Sequence, residues 1–177
     1  MHQEKTGYVH LYVGDGKGKT TAAAGLAARA LGSGKKVLFC QFLKARPTSE
    51  ITSLSRLGAE ILRAEHIGKF TFQMTPEELS QAGLRHKDCL REAGARIAGG
   101  DVDLLVLDES VDAVNAGLFS AEALLDVVRG RPSHVEVVLT GRNPDALLCE
   151  AADYHTDFLC RKHPFQKGVS AREGIEY

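Results

Sequence analysis

The stretch Val13-Gly14-Asp15-Gly16-Lys17-Gly18-Lys19-Thr20-Thr21 decides the reading of this chain. Strand formers precede it (Tyr8, Val9, Leu11, Tyr12, Val13), and an alanine-rich helical segment at residues 22–31 follows. A strand, a glycine loop and a helix in that order make a phosphate site. Glycines let the backbone wrap a polyphosphate with its N–H groups turned inward, and the helix N-terminus adds a partial positive charge. Lys19 is placed to neutralise phosphate oxygens, and the Thr20 hydroxyl to ligate a magnesium ion carried by a nucleotide. The common loop reads G-x-x-x-x-G-K-[ST], whereas here only Asp15, Gly16 and Lys17 separate Gly14 from Gly18. One residue is missing, so its hold on phosphates should differ from that of an ordinary kinase.

Working outward, residues 32–34 (Gly-Ser-Gly) end the first helix, and residues 37–43 form a nearly continuous apolar run. Such a run suits a strand covered on both faces, which gives a βαβ unit and a parallel sheet. Ligands of such sheets gather beyond the carboxyl ends of the strands, where Gln41, Lys44 and Arg46 fall. A short helix is expected over 49–57 and a third strand over 59–63. The loop from His66 to Gln73 carries Phe70 and Phe72 at alternate positions. They can anchor the loop on the core or present two rings to one flat ligand. Thr75-Pro76-Glu77-Glu78 reads as a helix start with a capping box, and the stripe Leu79, Ala82, His86, Leu90, Ala93, Ile97 follows until Gly99-Gly100. His86 on that stripe reads as a packing histidine.

Residues 102–107 form another buried strand that ends in Asp108-Glu109. An apolar strand ending in acids is the second signature of phosphate-loop proteins, because a carboxylate there reaches the magnesium shell or orients a reactant. Asp112 and Asn115 follow closely enough to extend the site. A helix is expected over 120–128 and a strand over 135–140. Arg142 then lies beyond a carboxyl end, where a guanidinium can meet phosphate or carboxylate or stay a surface arginine. Asn143 and Pro144 read as the cap and first residue of the next helix, and 155–160 as the last strand. The tail after it is rich in cations and aromatics, which suits either a flap over a nucleotide or a solvated end.

The 177 residues amount to one domain, 1–177, able to bury a core without metal or disulfide staples. A formal charge of -1 with no long basic run argues against a nucleic-acid binder. No eighteen consecutive apolar residues occur and no apolar segment follows a basic amino terminus, so a cytoplasmic protein that neither spans nor sits in a membrane is expected. Cys40, Cys89, Cys149 and Cys160 are scattered, which favours reduced thiols over a zinc site or a disulfide framework.

Taken together, Gly14 to Ala23, Ala28-Arg29-Ala30, Gly34-Lys35-Lys36-Val37, Gln41-Phe42-Leu43-Lys44, Leu107-Asp108-Glu109, Arg131-Pro132, Thr140-Gly141-Arg142, Lys162-His163-Pro164-Phe165 and Gly174-Ile175-Glu176-Tyr177 resemble the phosphate-loop corrinoid adenosyltransferases of the cob(I)alamin or cob(I)yrinic acid a,c-diamide type. The resemblance spans nearly the whole chain. It implies a single-domain RecA-like α/β fold with a mostly parallel sheet, a homodimer, and transfer of the adenosyl group of ATP to cobalt(I) with loss of triphosphate. It also implies a nucleotide held in the reverse of the usual sense. By the same resemblance, ATP is bound by Gly14, Asp15, Gly16, Lys17, Gly18, Lys19, Thr20, Thr21, Arg29, Lys44, Arg142, Lys162 and His163. Lys17, Lys19 and Glu109 act in catalysis, and Thr20 and Glu109 hold Mg2+. Phe70 and Phe72 press on the lower face of the corrinoid, displacing its lower ligand so that a flavodoxin-type donor can reduce the cobalt. Phe72 stands where one branch of the family has tryptophan. Two other readings of the residues are a kinase or ATPase that moves the terminal phosphate, and a nucleotide sensor without covalent chemistry.

Overall fold

The computed structural model describes residues 6–44, 48–64, 69 and 71–177, without the side chain of Phe72. Six strands make one parallel sheet: β1 (Val9–Val13), β2 (Val37–Gln41), β3 (Glu60–Arg63), β4 (Leu104–Asp108), β5 (Glu136–Gly141) and β6 (Tyr154–Asp157). Their order is β3-β2-β4-β5-β1-β6. This is the expected single-domain α/β arrangement of the RecA-like kind. The chain crosses from β1 to β2 over two strands that are added later, so the loop after β1 opens at a switch point, where α/β sheets bind their ligands.

The apolar runs alternate between two cores because successive side chains of a strand point to opposite faces. One face holds Leu38, Cys40, Leu105, Leu107, Val137 and Leu139, packed under α3 (Pro76–Ala98), α5 (Ala121–Arg129) and α6 (Ala146–Ala151). The other holds Val37, Phe39, Leu104, Val106 and Val138 under α1 (Lys19–Gly32) and α2 (Ser49–Arg56). A fully buried leucine such as Leu107 contributes roughly 2 kcal/mol by removal from water. Helix α1 meets the sheet through Ala23, Ala27 and Ala30, and these short side chains bring its axis close to the strands. The capping box is present in full: Glu78 N–H donates to Thr75 Oγ1 at 3.3 Å, and Thr75 N–H to Glu78 Oε2 at 2.9 Å.

Several boundaries differ from expectation by a few residues, and three of them have a visible cause. Strand β2 stops at Gln41, because Leu43 takes a left-handed turn with φ 57°. The cap of α6 is Asp145, whose carboxylate accepts from Leu147 N–H at 2.8 Å. Asn143 sits at φ 46°, and its carbonyl accepts from Asn115 Nδ2 at 3.3 Å, so neither Asn143 nor Pro144 starts that helix. Strand β6 covers Tyr154–Asp157 and ends before Cys160, because residues 158–160 leave the sheet to back the glycine loop.

Candidate active site

The glycines of the loop are fixed by what lies behind them. Gly14 has φ 112°, a region hostile to side chains, and a Cβ built there would stand 2.5 Å from the Phe158 carbonyl oxygen. A Cβ on Gly16 would stand 2.6 Å from the same oxygen, which accepts the Gly16 N–H at 2.6 Å. Asp15 Oδ1 accepts from Cys160 N–H at 3.0 Å. The loop therefore rests on residues 158–160, and its open side faces the cavity. Lys19 Nζ donates to the carbonyls of Gly14 at 2.7 Å and Gly16 at 2.9 Å, which holds the ammonium inside the loop's curve. Gly18 stands at the N-cap of α1 with no side-chain cap, and no acid lies in the first turn, so the helix end remains a positive pole.

Strand register sets the floor. Gln41 lies opposite Asp108, which is fully buried. Asp108 Oδ1 accepts from Thr20 Oγ1 at 2.9 Å and Thr140 Oγ1 at 2.8 Å, while Oδ2 accepts from Gln41 Nε2 at 3.3 Å. Thr20 and Asp108 are adjacent hard oxygen donors. That donor set suits Mg2+, which binds through few protein oxygens and takes the rest from phosphates and water. Among the described residues no group of three or more His, Cys, Asp or Glu could hold a metal. The resemblance pairs Thr20 with Glu109 at the metal; here Asp108 is the acid that accepts from Thr20, and Glu109 lines the same cavity beside Lys44. Asp108 lies on the face of β4 that Leu104 and Val106 turn toward α1.

Helix α4 (Ser110–Asn115) begins after Glu109, whose φ of 60° aims it at the rim, with its N–H donating to Thr140 Oγ1 at 2.9 Å. Its carboxylate lies 2.9 Å from Lys44 Nζ, both side chains about a quarter exposed at 25% and 24%. Burial raises the Glu109 pKa above the usual carboxylate range and outweighs the lowering by Lys44. Burial would lower Lys44, but Glu109 and Asp108 outweigh it and leave its pKa raised. Asp112 is raised by burial against the pull of Arg142, 3.9 Å away, and of Lys19. Lys19 is lowered by burial and by Arg142, against Asp112, Asp15 and Glu109. Asn115 Nδ2 donates to the Arg142 carbonyl at 2.7 Å and fixes the turn that carries Arg142.

These elements enclose a cavity of about 470 Å³ lined by Lys17, Lys19, Thr20, Thr21, Lys44, Glu109, Arg142 and His163, among others. The tail, left open by the sequence, closes one side of it. Gly174, Ile175, Glu176 and Tyr177 line the cavity, and Ser49 Oγ donates to the Tyr177 carbonyl at 3.1 Å. Arg172 holds Glu176 with its guanidinium and backbone N–H, which brings the carboxyl down to about 2. Ser49, Glu50, Thr140 and Glu176 were missed as site residues, since only long-range folding brings them there.

Two expected nucleotide residues fall elsewhere in this chain. Arg29 is exposed near the far end of α1, ten residues or roughly 15 Å along the helix from Lys19, beside a separate cavity with Asp103 and Glu136. Lys162 is exposed and does not line the main cavity, although His163 does. Arg46, Phe70 and the side chain of Phe72 lie outside the described residues. The backbone of Phe72 belongs to a 3-10 turn, Thr71–Gln73.

A family model described as ATP:corrinoid adenosyltransferase BtuR/CobO/CobP matches residues 5–177. The corrinoid adenosyltransferase CobA of Salmonella typhimurium is 35% identical over 177 residues, covering 99% of this chain and 88% of the relative. The corrinoid adenosyltransferase of Escherichia coli K12 is 34% identical with coverages of 99% and 88%, and that of Pseudomonas aeruginosa 32% with 99% and 86%. The similarity thus spans the glycine loop and the closing tail alike, with the family model reaching from residue 5 to residue 177. The chain belongs to the ATP:corrinoid adenosyltransferase BtuR/CobO/CobP family.

Proposed function

We propose that this chain carries the 5'-deoxyadenosyl group of ATP to the cobalt(I) of a corrinoid and releases triphosphate. The carrying observation is the single cavity in which a compressed glycine loop, Lys19, and the Thr20–Asp108 pair meet the charged rim and the tail. The electron pair of the reduced corrinoid substrate forms a bond to the ribose C5' carbon, the C5'–O bond breaks, and negative charge moves onto the triphosphate. Lys17, Lys19 and the loop amides offset that charge, and the closing of the site makes each such contact worth more than in water. Mg2+, held by Thr20 and Asp108 with Glu109 facing them from the rim, would supply further positive charge at the phosphate oxygens. Nothing in the displacement calls for a proton acceptor, and the carboxylates here are engaged with cations and hydroxyls.

Phe70 and Phe72 are assigned to the lower face of the corrinoid. A flavodoxin-type reductant, a homodimer and a cytoplasmic setting belong to the same reading. No helix among the described residues is long and apolar enough to cross a membrane. Anaerobic incubation with ATP, Mg2+ and chemically reduced cobalamin should give adenosylcobalamin and tripolyphosphate. ADP as product would mean a kinase, and nucleotide binding without turnover a sensor. Phe72→Ala should lose most activity when cobalt must be reduced by the protein donor, and much less with free cobalt(I).

A further inference from the structure

His86 does more than fill the core. It is 3% exposed on the inner stripe of α3, and its Nδ1 lies 2.8 Å from the Ala82 carbonyl oxygen. A carbonyl only accepts, so Nδ1 carries the proton and Nε2 is left as an acceptor. The Leu43 N–H donates to Nε2 at 3.3 Å, and the Phe42 ring stacks on the imidazole with centroids 6.0 Å apart. Leu43 is where the chain leaves β2 through a left-handed turn, a conformation leucine rarely adopts unless it is held there. The next residue, Lys44, sends Nζ to Glu109 at 2.9 Å on the cavity rim, and its carbonyl accepts from Arg63 Nη2 at 3.1 Å.

We propose that His86 is a positioning residue for the nucleotide site: as the neutral Nδ1–H tautomer it holds the Leu43 amide and so turns Lys44 toward the cavity. A leucine would fill the same volume on the α3 stripe but offer no acceptor to that amide. The inference rests on the adenosyltransferase reading for the identity of the nucleotide, and on the geometry alone for the linkage from His86 to Lys44.

The test is a double-mutant cycle in the full chain, made of His86→Leu, Lys44→Met and the double variant. It is read by calorimetric binding of a non-hydrolysable ATP analogue and by KM for ATP. His86→Leu should weaken analogue binding and raise KM about fivefold, the loss expected for one hydrogen bond, with kcat changed less. In the Lys44→Met background the same change should cost less than about twofold, because the residue it acts through is gone. His86→Gln, whose Oε1 can accept from Leu43, should recover most of the binding. Equal losses in both backgrounds, or unchanged binding in His86→Leu, overturn the proposal. If His86→Leu does not melt cooperatively, His86→Asn, which withdraws the acceptor by one methylene, takes its place in the cycle. Wild-type protein that binds the analogue without making adenosylcobalamin would sink the proposed reaction and leave the positioning result intact.

Discussion

The floor and the rim of the cavity are built on different principles. At the floor, Asp108 is fully buried and takes its bonds from Thr20, Thr140 and Gln41, each on a different element of the sheet or α1. At the rim, Lys44, Glu109, Asp112 and Arg142 pair charge with charge while partly exposed, and Lys44, Glu109 and Asp112 have displaced pKa values. A floor made of neutral donors around one carboxylate is rigid, and removing a member leaves buried partners unsatisfied. A rim of compensating charges is adjustable, and solvent screening limits what each pair contributes. Geometry belongs to the floor and tuning to the rim.

The largest effect should come from Lys19→Ala, which removes the ammonium at the heart of the loop. A loss of about 10²–10³ in kcat is expected whichever reductant is supplied, measured by adenosylcobalamin formation, and near-normal turnover would remove Lys19 from the mechanism. Asp108→Asn keeps the shape of the floor but replaces one acceptor oxygen with an NH2 donor, set against either Gln41 Nε2 or the Thr20 and Thr140 hydroxyls. Roughly 10–100-fold lower activity and about 1–3 kcal/mol lower stability in denaturant melts should appear together. If activity falls while stability holds, the floor is less rigid than described. Gly16→Ala attacks the loop from behind, with a methyl 2.6 Å from the Phe158 oxygen. It should cost about 1–3 kcal/mol of stability and lower affinity for the ATP analogue.

The smallest effect separates the rim by pH. Glu109 has a folded pKa raised by burial, so the native state binds its proton more tightly than the unfolded chain. That stabilisation is present below the ordinary carboxylate range and is lost as pH rises through the raised value. Glu176, brought down to about 2, acts in the opposite sense, and its contribution disappears only as pH falls toward that value. Melting temperatures from about pH 4.5 upward should therefore decline less in Glu109→Gln than in wild type, and parallel curves would contradict the raised pKa.

Sequence reading reached what local chemistry fixes. The glycine loop after a strand, the Thr75–Glu78 cap and the buried stripe of α3 each carry their signal in a few neighbouring residues. It failed where two similar residues compete and a distant contact chooses. Asn143 and Asp145 can both cap a helix, and the bonds from Asn115 to the Arg142 and Asn143 carbonyls draw Asn143 out of that role. Asp108 and Glu109 are neighbours of like charge; strand alternation puts the first on the α1 face beside Thr20, and the left-handed turn at Glu109 leaves the second at Lys44. Arg29 sits in a recognisable segment, yet the rise of the helix carries it away from the loop. The composition of the tail suits a flap or a solvated end alike, and the choice is made by Ser49 and by the cavity wall.

The seat of the glycine loop has a dynamic corollary. Its backing, residues 158–160, hangs from β6, one of the two edge strands, whose four residues are all exposed. Edge strands open at lower free energy than central ones. Whatever loosens β6 also releases the amide of Gly16, so hydrogen exchange there should keep time with the sheet's border rather than with α1. The grip on phosphate would then be governed by how firmly the last strand stays zipped.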